Sequence, residues 1–127
     1  MFDRLIGPEI LDYVSPRAER YDVGKTPGRP GPTQDEINAL LISLGSRLET
    51  VVRGKGGDPF IFGRGSEEAV ALSEAGIPFE VVPGITSAIA APAYAGTPAT
   101  LRHSSTSFTV VTGHEDPSSG EGSVDWE

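Results

Sequence analysis

Short apolar runs typical of strands alternate with segments typical of helices along this chain. A capping box from Thr33 to Glu36 begins a helix that we expect over residues 34–48, with leucines and isoleucine at helical spacing. Three other helices are expected. The first begins near Pro8, the second covers residues 66–75, and the third follows a cap at Thr86 or Ser87. The expected strands are residues 19–23, 50–53, 79–82 and 107–112. This alternation predicts an α/β fold, a three-layer sandwich with a mostly parallel sheet.

Acidic and basic residues are distributed unevenly between the two halves of the chain. The 127 residues suit one domain, assigned to residues 1–114 and followed by an acidic polar segment, residues 115–127. Residues 1–64 hold nine Lys and Arg against nine Asp and Glu, whereas residues 65–127 hold only Arg102 against nine acids. A net charge of −8 argues against general polyanion binding, so no nucleic-acid partner is expected.

The residue types that support redox and metal chemistry are scarce. The absence of Cys removes disulfides, thiolate metal sites and a Cys nucleophile. The two histidines, His103 and His114, cannot form a three-His zinc site, and no metal is expected. Asp3 and Arg4 interrupt any N-terminal signal pattern, and prolines break the least charged stretch, residues 77–101. We therefore expect a soluble cytoplasmic protein with no membrane partner.

Three polar, glycine-containing segments, residues 55–59, 83–87 and 113–115, each follow an expected strand. Ligands bind beyond the carboxyl ends of the strands in open parallel sheets, so these segments are candidates for a binding site. Asp58 could accept from a ribose hydroxyl or an amine, or could simply occupy a turn position. Thr86 and Ser87 open a helix whose amides favour anions, although simple N-capping explains them equally well. Arg64 lies between two glycines, either reaching into a cleft or solvated.

Taken together, these segments resemble the tetrapyrrole methylase family. The resemblance rests on Lys55 to Gly65, on Gly76 to Ala88, on Pro92 to Gly96 and on Val111 to Glu115, in that order along the chain. It implies C-methylation of uroporphyrinogen III to precorrin-2 with S-adenosyl-L-methionine as co-substrate and no metal. The product would serve sirohaem or cobalamin biosynthesis.

The resemblance also implies roles for individual residues. The cofactor contacts would be Gly56, Gly57, Asp58, Ile61, Thr86 and Ser87, and the catalytic residues Asp3 as proton acceptor, Lys25 as proton donor and Arg64. The substrate contacts would be Arg64, Glu67 and Arg102. An arginine is a poor base because it stays protonated, so we favour Asp3 as the acceptor and assign Arg64 mainly to substrate carboxylates.

The chain departs from the family pattern at both ends. The family begins with a strand and a glycine-rich loop, and its cofactor lies between two domains, so we expect a partial N-terminal domain that lacks the first strand. Such a fragment would be inactive alone, and the full-length form would be a homodimer. The alternatives are a non-enzymatic truncated remnant, or a sibling methyltransferase acting on a later corrin intermediate. We also expect the basic residues of the chain to converge on the ligand face. These residues include Lys25, Arg53, Lys55, Arg64 and Arg102.

Overall fold

The structure, a computed structural model, describes residues 1–24 and 31–113. These residues include a 3₁₀ helix at Pro8–Tyr13 and three α-helices, α1 (Gln34–Gly45), α2 (Gly65–Glu74) and α3 (Ser87–Tyr94). The chain divides into two compact units, Met1–Gly84 and Ile85–Glu127. The expected boundary between residues 114 and 115 lies outside the described residues. In the described ranges, no helix is both long and apolar enough to cross a membrane.

The capping box at the start of α1 is confirmed. The Thr33 hydroxyl accepts from the Glu36 amide at 3.2 Å, and the Glu36 carboxylate accepts from the Thr33 amide at 2.7 Å. Hydrogen bonds from the backbone amide and, to a smaller extent, the side chain of Thr33 lower the pKa of Glu36, because they stabilise its ionised carboxylate. The helix ends at Gly45 rather than at the expected residue 48. The Ser46 hydroxyl donates to the Ile42 carbonyl at 2.8 Å and satisfies an acceptor at the helix end.

Helix α2 begins one residue earlier than expected and packs against α1. The Gly65 amide donates to the Pro59 carbonyl at 2.9 Å, and a Cβ at Gly65 would collide with the same carbonyl oxygen. Gly76, with φ +69°, confirms the expected glycine stop after α2. The buried apolar side chains of the first unit are Val23, Ile37, Leu41 and Leu44.

The first residues of the chain lie between two of the expected strands. Phe2 forms parallel bridges with Asp22 on one side and Gly54 on the other. Its amide donates to the Tyr21 carbonyl at 2.9 Å, and its carbonyl accepts from the Val23 amide at 2.9 Å. Sequence reasoning did not predict this central position. The apolar run around Phe2 is too short for a strand to be assigned from the sequence.

The expected sheet is represented by these single bridges. Within residues 1–24 and 31–113, no segment forms a continuous ladder, and residues 79–82 make no backbone–backbone hydrogen bond to those residues. A strand needs a hydrogen-bonded neighbour along its edge. Residues 79–82 instead line a cleft of about 510 Å³. Residues 49–53 and 77–82 line this cleft together with Leu41, Leu48 and Leu72.

Candidate functional site

The Asp58 carboxylate joins two of the glycine-containing segments. Its Oδ2 accepts from the Gly84 amide at 2.9 Å, and its Oδ1 accepts from the Phe60 amide at 2.8 Å. These amide hydrogen bonds, that of Gly84 first, hold the pKa of Asp58 below its usual range because they stabilise the carboxylate. The segments at residues 55–59 and 83–84 therefore meet in the first unit, as their shared position after expected strands predicts.

Glycine is required where these two segments touch. A Cβ on Gly84 would overlap the Gly57 carbonyl oxygen and would lie 3.3 Å from the Asp58 Cα. Gly57 itself has φ +70°, a left-handed conformation that costs other residues energy. The two backbones thus approach more closely than any side chain would allow.

The segment that carries Asp3 runs against the same loop. A Cβ on Gly56 would lie 2.7 Å from the Leu5 Cβ, so Gly56 allows this approach. The Leu5 amide donates to Oδ1 of Asp3 at 3.0 Å, and Oδ2 of Asp3 lies 3.7 Å from the Arg53 guanidinium. Asp3 is therefore adjacent through Leu5 to the glycines expected to contact the cofactor.

The buried carboxylate of Glu68 on α2 forms ion pairs with Arg53 and Lys55. Glu68 is 4% exposed, and its carboxylate accepts from Arg53 Nε at 3.2 Å and from Lys55 Nζ at 3.2 Å. Both cations are therefore paired with Glu68, and their convergence on the ligand face stays a prediction. Sequence reasoning missed Glu68. The available signal was that Arg53 and Lys55 lie two residues apart and so share one face of an extended segment.

Arg64 has a strained, left-handed backbone and forms an ion pair with Glu67. Its φ of +56° is left-handed, as is that of Phe62 at +52°. Its Nε and Nη2 donate to the two carboxylate oxygens of Glu67, each at 2.7 Å. This pairing raises the pKa of Arg64 and lowers that of Glu67, because each charge stabilises the other. Both side chains remain about half exposed, 52% and 46%.

The remaining expected site residues fall in the second unit, beside Asp58 in the first unit, or outside the described residues. Thr86 caps α3 by accepting from the Ala88 amide at 3.4 Å, and Ser87 is the first residue of that helix. Arg102 is exposed in a turn of the second unit. Ile61 is 44% exposed beside the Asp58 loop. Lys25 and His114 lie outside the described residues, and in the part of the chain that is described no three metal-ligating side chains cluster.

Comparison with known proteins supplies relatives over the whole chain. Residues 2–127 match the family described as Tetrapyrrole (Corrin/Porphyrin) Methylases. An S-adenosyl-L-methionine-dependent uroporphyrinogen III methyltransferase of Methanosarcina barkeri (strain Fusaro / DSM 804) is 53% identical over 127 residues, covering 100% of this chain and 50% of the relative. A uroporphyrinogen-III C-methyltransferase of Bacillus subtilis (strain 168) is 50% identical over 127 residues, 100% of this chain and 26% of the relative.

A crystal structure extends the likeness to three dimensions. Uroporphyrin-III C-methyl transferase from Thermus thermophilus, complexed with S-adenyl homocysteine, matches with a TM-score of 0.66 and 40% identity, covering 84% of this chain and 43% of that one. This likeness confirms the α/β class. The chain spans about half the length, or less, of these relatives. The match over residues 2–127 shows that the chain belongs to the tetrapyrrole (corrin/porphyrin) methylase family.

Proposed function

We propose that this chain is part of an S-adenosyl-L-methionine-dependent uroporphyrinogen-III C-methyltransferase that makes precorrin-2. The observation that carries the proposal is the junction of Gly57, Asp58 and Gly84, where two close backbones leave a carboxylate between them. Relatives at 50–53% identity whose names state this activity support it. The precorrin-2 would serve sirohaem or cobalamin biosynthesis, and the complete protein would be a cytoplasmic homodimer.

The residues of the junction fit the cofactor. An ionised carboxylate has about four acceptor positions, and the amides of Gly84, Phe60 and, more weakly, Ile61 leave at least one of those of Asp58 to a ribose hydroxyl. Gly56 and Gly57 allow a ligand to approach their backbone, and Ile61 offers apolar surface beside them. Thr86 and Ser87 would contribute from the start of α3. When bound, S-adenosyl-L-methionine supplies an activated methyl group.

Asp3 is the proposed proton acceptor. After a ring carbon gains a methyl group, a proton must leave the substrate, and a carboxylate held in a fixed direction can take it. The Leu5 amide and the Arg53 guanidinium fix the direction of Asp3. The raised pKa of Arg64 makes that residue a still poorer base. Lys25 is the proposed proton donor of the reaction.

Arg64 is the proposed grip on the carboxylates of the substrate. A guanidinium has five N–H donors in a planar fork, and Glu67 uses two of them. Substrate carboxylates would bind the remaining donors or exchange with Glu67, because the pair is exposed enough to open. Arg102 would supply a second cation.

We also propose that the complete sheet of the three-layer sandwich is mostly parallel. In it, a further strand, the first of the family fold, would occupy the cleft between residues 49–53 and 77–82. The apolar lining of the cleft and the lack of backbone–backbone hydrogen bonds from residues 79–82 to other described residues support this placement.

Two measurements test the function. Isothermal titration of the 127-residue chain with S-adenosylhomocysteine should give saturable binding, and absence of binding would contradict the cofactor assignment. For activity, this chain should replace the matching segment of the Methanosarcina barkeri relative, with the unaltered relative as control. We expect the chimera to methylate uroporphyrinogen III twice. A chimera that folds and binds S-adenosylhomocysteine but leaves uroporphyrinogen III unmodified would favour a sibling methyltransferase.

A further inference from the structure

The buried carboxylate of Glu68, which pairs with Arg53 and Lys55, has no role in the function proposed above. Glu68 lies on α2 with 4% of its surface exposed, and the side chains of Arg53 and Lys55 are 13% and 9% exposed. Burying charges is costly unless each one is paired. In the described residues every buried polar side-chain atom has a partner, so the cluster is fully satisfied.

Arg53 connects the cluster to Asp3. Its Nε donates to Glu68 at 3.2 Å, its Nη1 to the Gly54 carbonyl at 2.6 Å, and its Nη2 lies 3.7 Å from Oδ2 of Asp3. Three nitrogens of one planar group thus face three different partners, which fixes its orientation. Glu68 is the partner on α2, so it determines where the rest of the guanidinium points.

Lys55 connects the same carboxylate to the glycine loop. Its Nζ lies 3.2 Å from both oxygens of Glu68, and the residue immediately precedes Gly56. Gly56 in turn lies against Leu5, whose amide donates to Asp3. The Glu68 carboxylate therefore bonds both to Lys55, which precedes the glycine loop, and to Arg53, which faces Asp3.

We infer that Glu68 is a positioning residue that fixes Asp3 relative to the loop at Gly56 and Gly57, acting through Arg53 and Lys55. The inference rests on the proposed function in giving Asp3 and the loop their roles. The carboxylate of Glu68 pairs with Arg53 and Lys55 and, among the described residues, with none of the expected substrate or cofactor residues.

The test compares Glu68→Gln with Glu74→Gln in the full 127-residue chain. Glu74 lies on the same helix and is exposed, so its substitution controls for loss of one negative charge. In Glu68→Gln, we expect the ¹H–¹⁵N signals of Leu5, Gly56 and Gly57 to move while helical circular dichroism stays unchanged. Affinity for S-adenosylhomocysteine should fall at least about threefold. Glu74→Gln should change neither quantity.

The Leu5 signal decides the inference, because the Leu5 amide donates to Asp3 and forms no hydrogen bond with Glu68. A folded Glu68→Gln chain with an unmoved Leu5 signal would overturn the positioning role. If that variant does not fold, Arg53→Lys keeps the charge but replaces the planar fork with one nitrogen, which cannot reach the partners that Nε, Nη1 and Nη2 meet separately, so its Leu5 signal should move. An unmoved signal there would also overturn the role. If the unaltered chain fails to bind S-adenosylhomocysteine, the cofactor assignment fails while the Leu5 signal still decides.

Discussion

The Gly84 amide donates to Oδ2 of Asp58 over 2.9 Å and so joins two turns that are 26 residues apart in the chain. The same carboxylate accepts from the Phe60 amide through its other oxygen. One side chain therefore sets the distance between the loop before α2 and the turn after residues 79–82. The backbone contact of Gly57 with Gly84 depends on this link.

Asp58→Asn should weaken cofactor binding. Asn keeps the size of Asp, but one of its terminal groups is a donor, so it cannot accept from both the Gly84 and Phe60 amides. We expect affinity for S-adenosylhomocysteine to fall about tenfold, because a charge-assisted bond to the ligand is lost as well. Isothermal titration measures this, with Asp12→Asn in the exposed 3₁₀ helix as control. Equal affinities for the two variants would contradict the role of Asp58.

The contact between Asp58 and Gly84 should open in acid. The pKa of Asp58 is lowered in the folded chain, so its stabilising contribution is present above the unfolded pKa of about 3.9. That contribution is lost as the pH falls through the lower folded value. We expect the Gly84 amide signal to be constant from about pH 8 to about pH 5 and to shift below about pH 4. Asp58→Asn should abolish the shift, and a shift that survives in this variant would point to another group.

Gly84→Ala should disrupt the same junction by a steric route. The new Cβ would overlap the Gly57 carbonyl oxygen, and backbone atoms cannot move aside as a side chain can. We expect a loss of about 1–3 kcal/mol in the free energy of unfolding, as for overpacked sites, together with weaker S-adenosylhomocysteine binding. Gly113→Ala is the matched control, because no atom lies within 4 Å of a Cβ there. Chemical denaturation of both variants measures the difference, and equal stabilities would contradict the close approach.

Local features of this chain were the easiest to predict from its sequence. The capping box of Thr33 and Glu36, the glycine stop at Gly76 and the cap at Thr86 each depend on residues a few positions apart. Their hydrogen bonds are formed by the segment itself, so no knowledge of the tertiary fold is needed. The meeting of two glycine segments was also predictable, because parallel strands end at one edge of a sheet.

Features that depend on distant partners were not predictable. Phe2 gains its central place only through Asp22 and Gly54, which lie far along the chain. Glu68 reads as a solvated glutamate at a helix start, and its burial follows from the approach of Arg53 and Lys55. The spacing of Arg53 and Lys55 indicates a shared face, but nothing in the sequence places α2 against that face, so the ion cluster was not predictable.

Leu44→Ala should destabilise the first unit strongly. Leu44 is 1% exposed on α1, so truncation removes its buried surface and leaves a cavity. We expect a loss of about 2–5 kcal/mol in the free energy of unfolding, measured by chemical denaturation. Leu5→Ala is the control, since Leu5 is 81% exposed and Ala keeps the Cβ that faces Gly56. A change of similar size in both variants would contradict the packing of α1.

Arg64→Gly should separate stability from substrate binding. Glycine relieves the left-handed backbone at this position, a gain of about 1 kcal/mol, whereas loss of an exposed ion pair costs about 0.2–1 kcal/mol. The free energy of unfolding should therefore stay within about 1 kcal/mol of that of the unaltered chain. Arg64→Ala loses the same ion pair but keeps the strain, so it should be about 1 kcal/mol less stable than Arg64→Gly.

Both Arg64 variants should bind uroporphyrin III, a stable polycarboxylate probe, more weakly than the unaltered chain and equally to one another. The reason is that each lacks the guanidinium donors, whatever its backbone conformation. Fluorescence titration of the probe measures the affinity, and chemical denaturation measures the stability of the same samples. Unchanged affinity would contradict the carboxylate grip, whereas equal stability of the two variants would contradict the backbone strain. If glycine folds at least as well at this position, stability does not account for the arginine, as a binding role for Arg64 predicts.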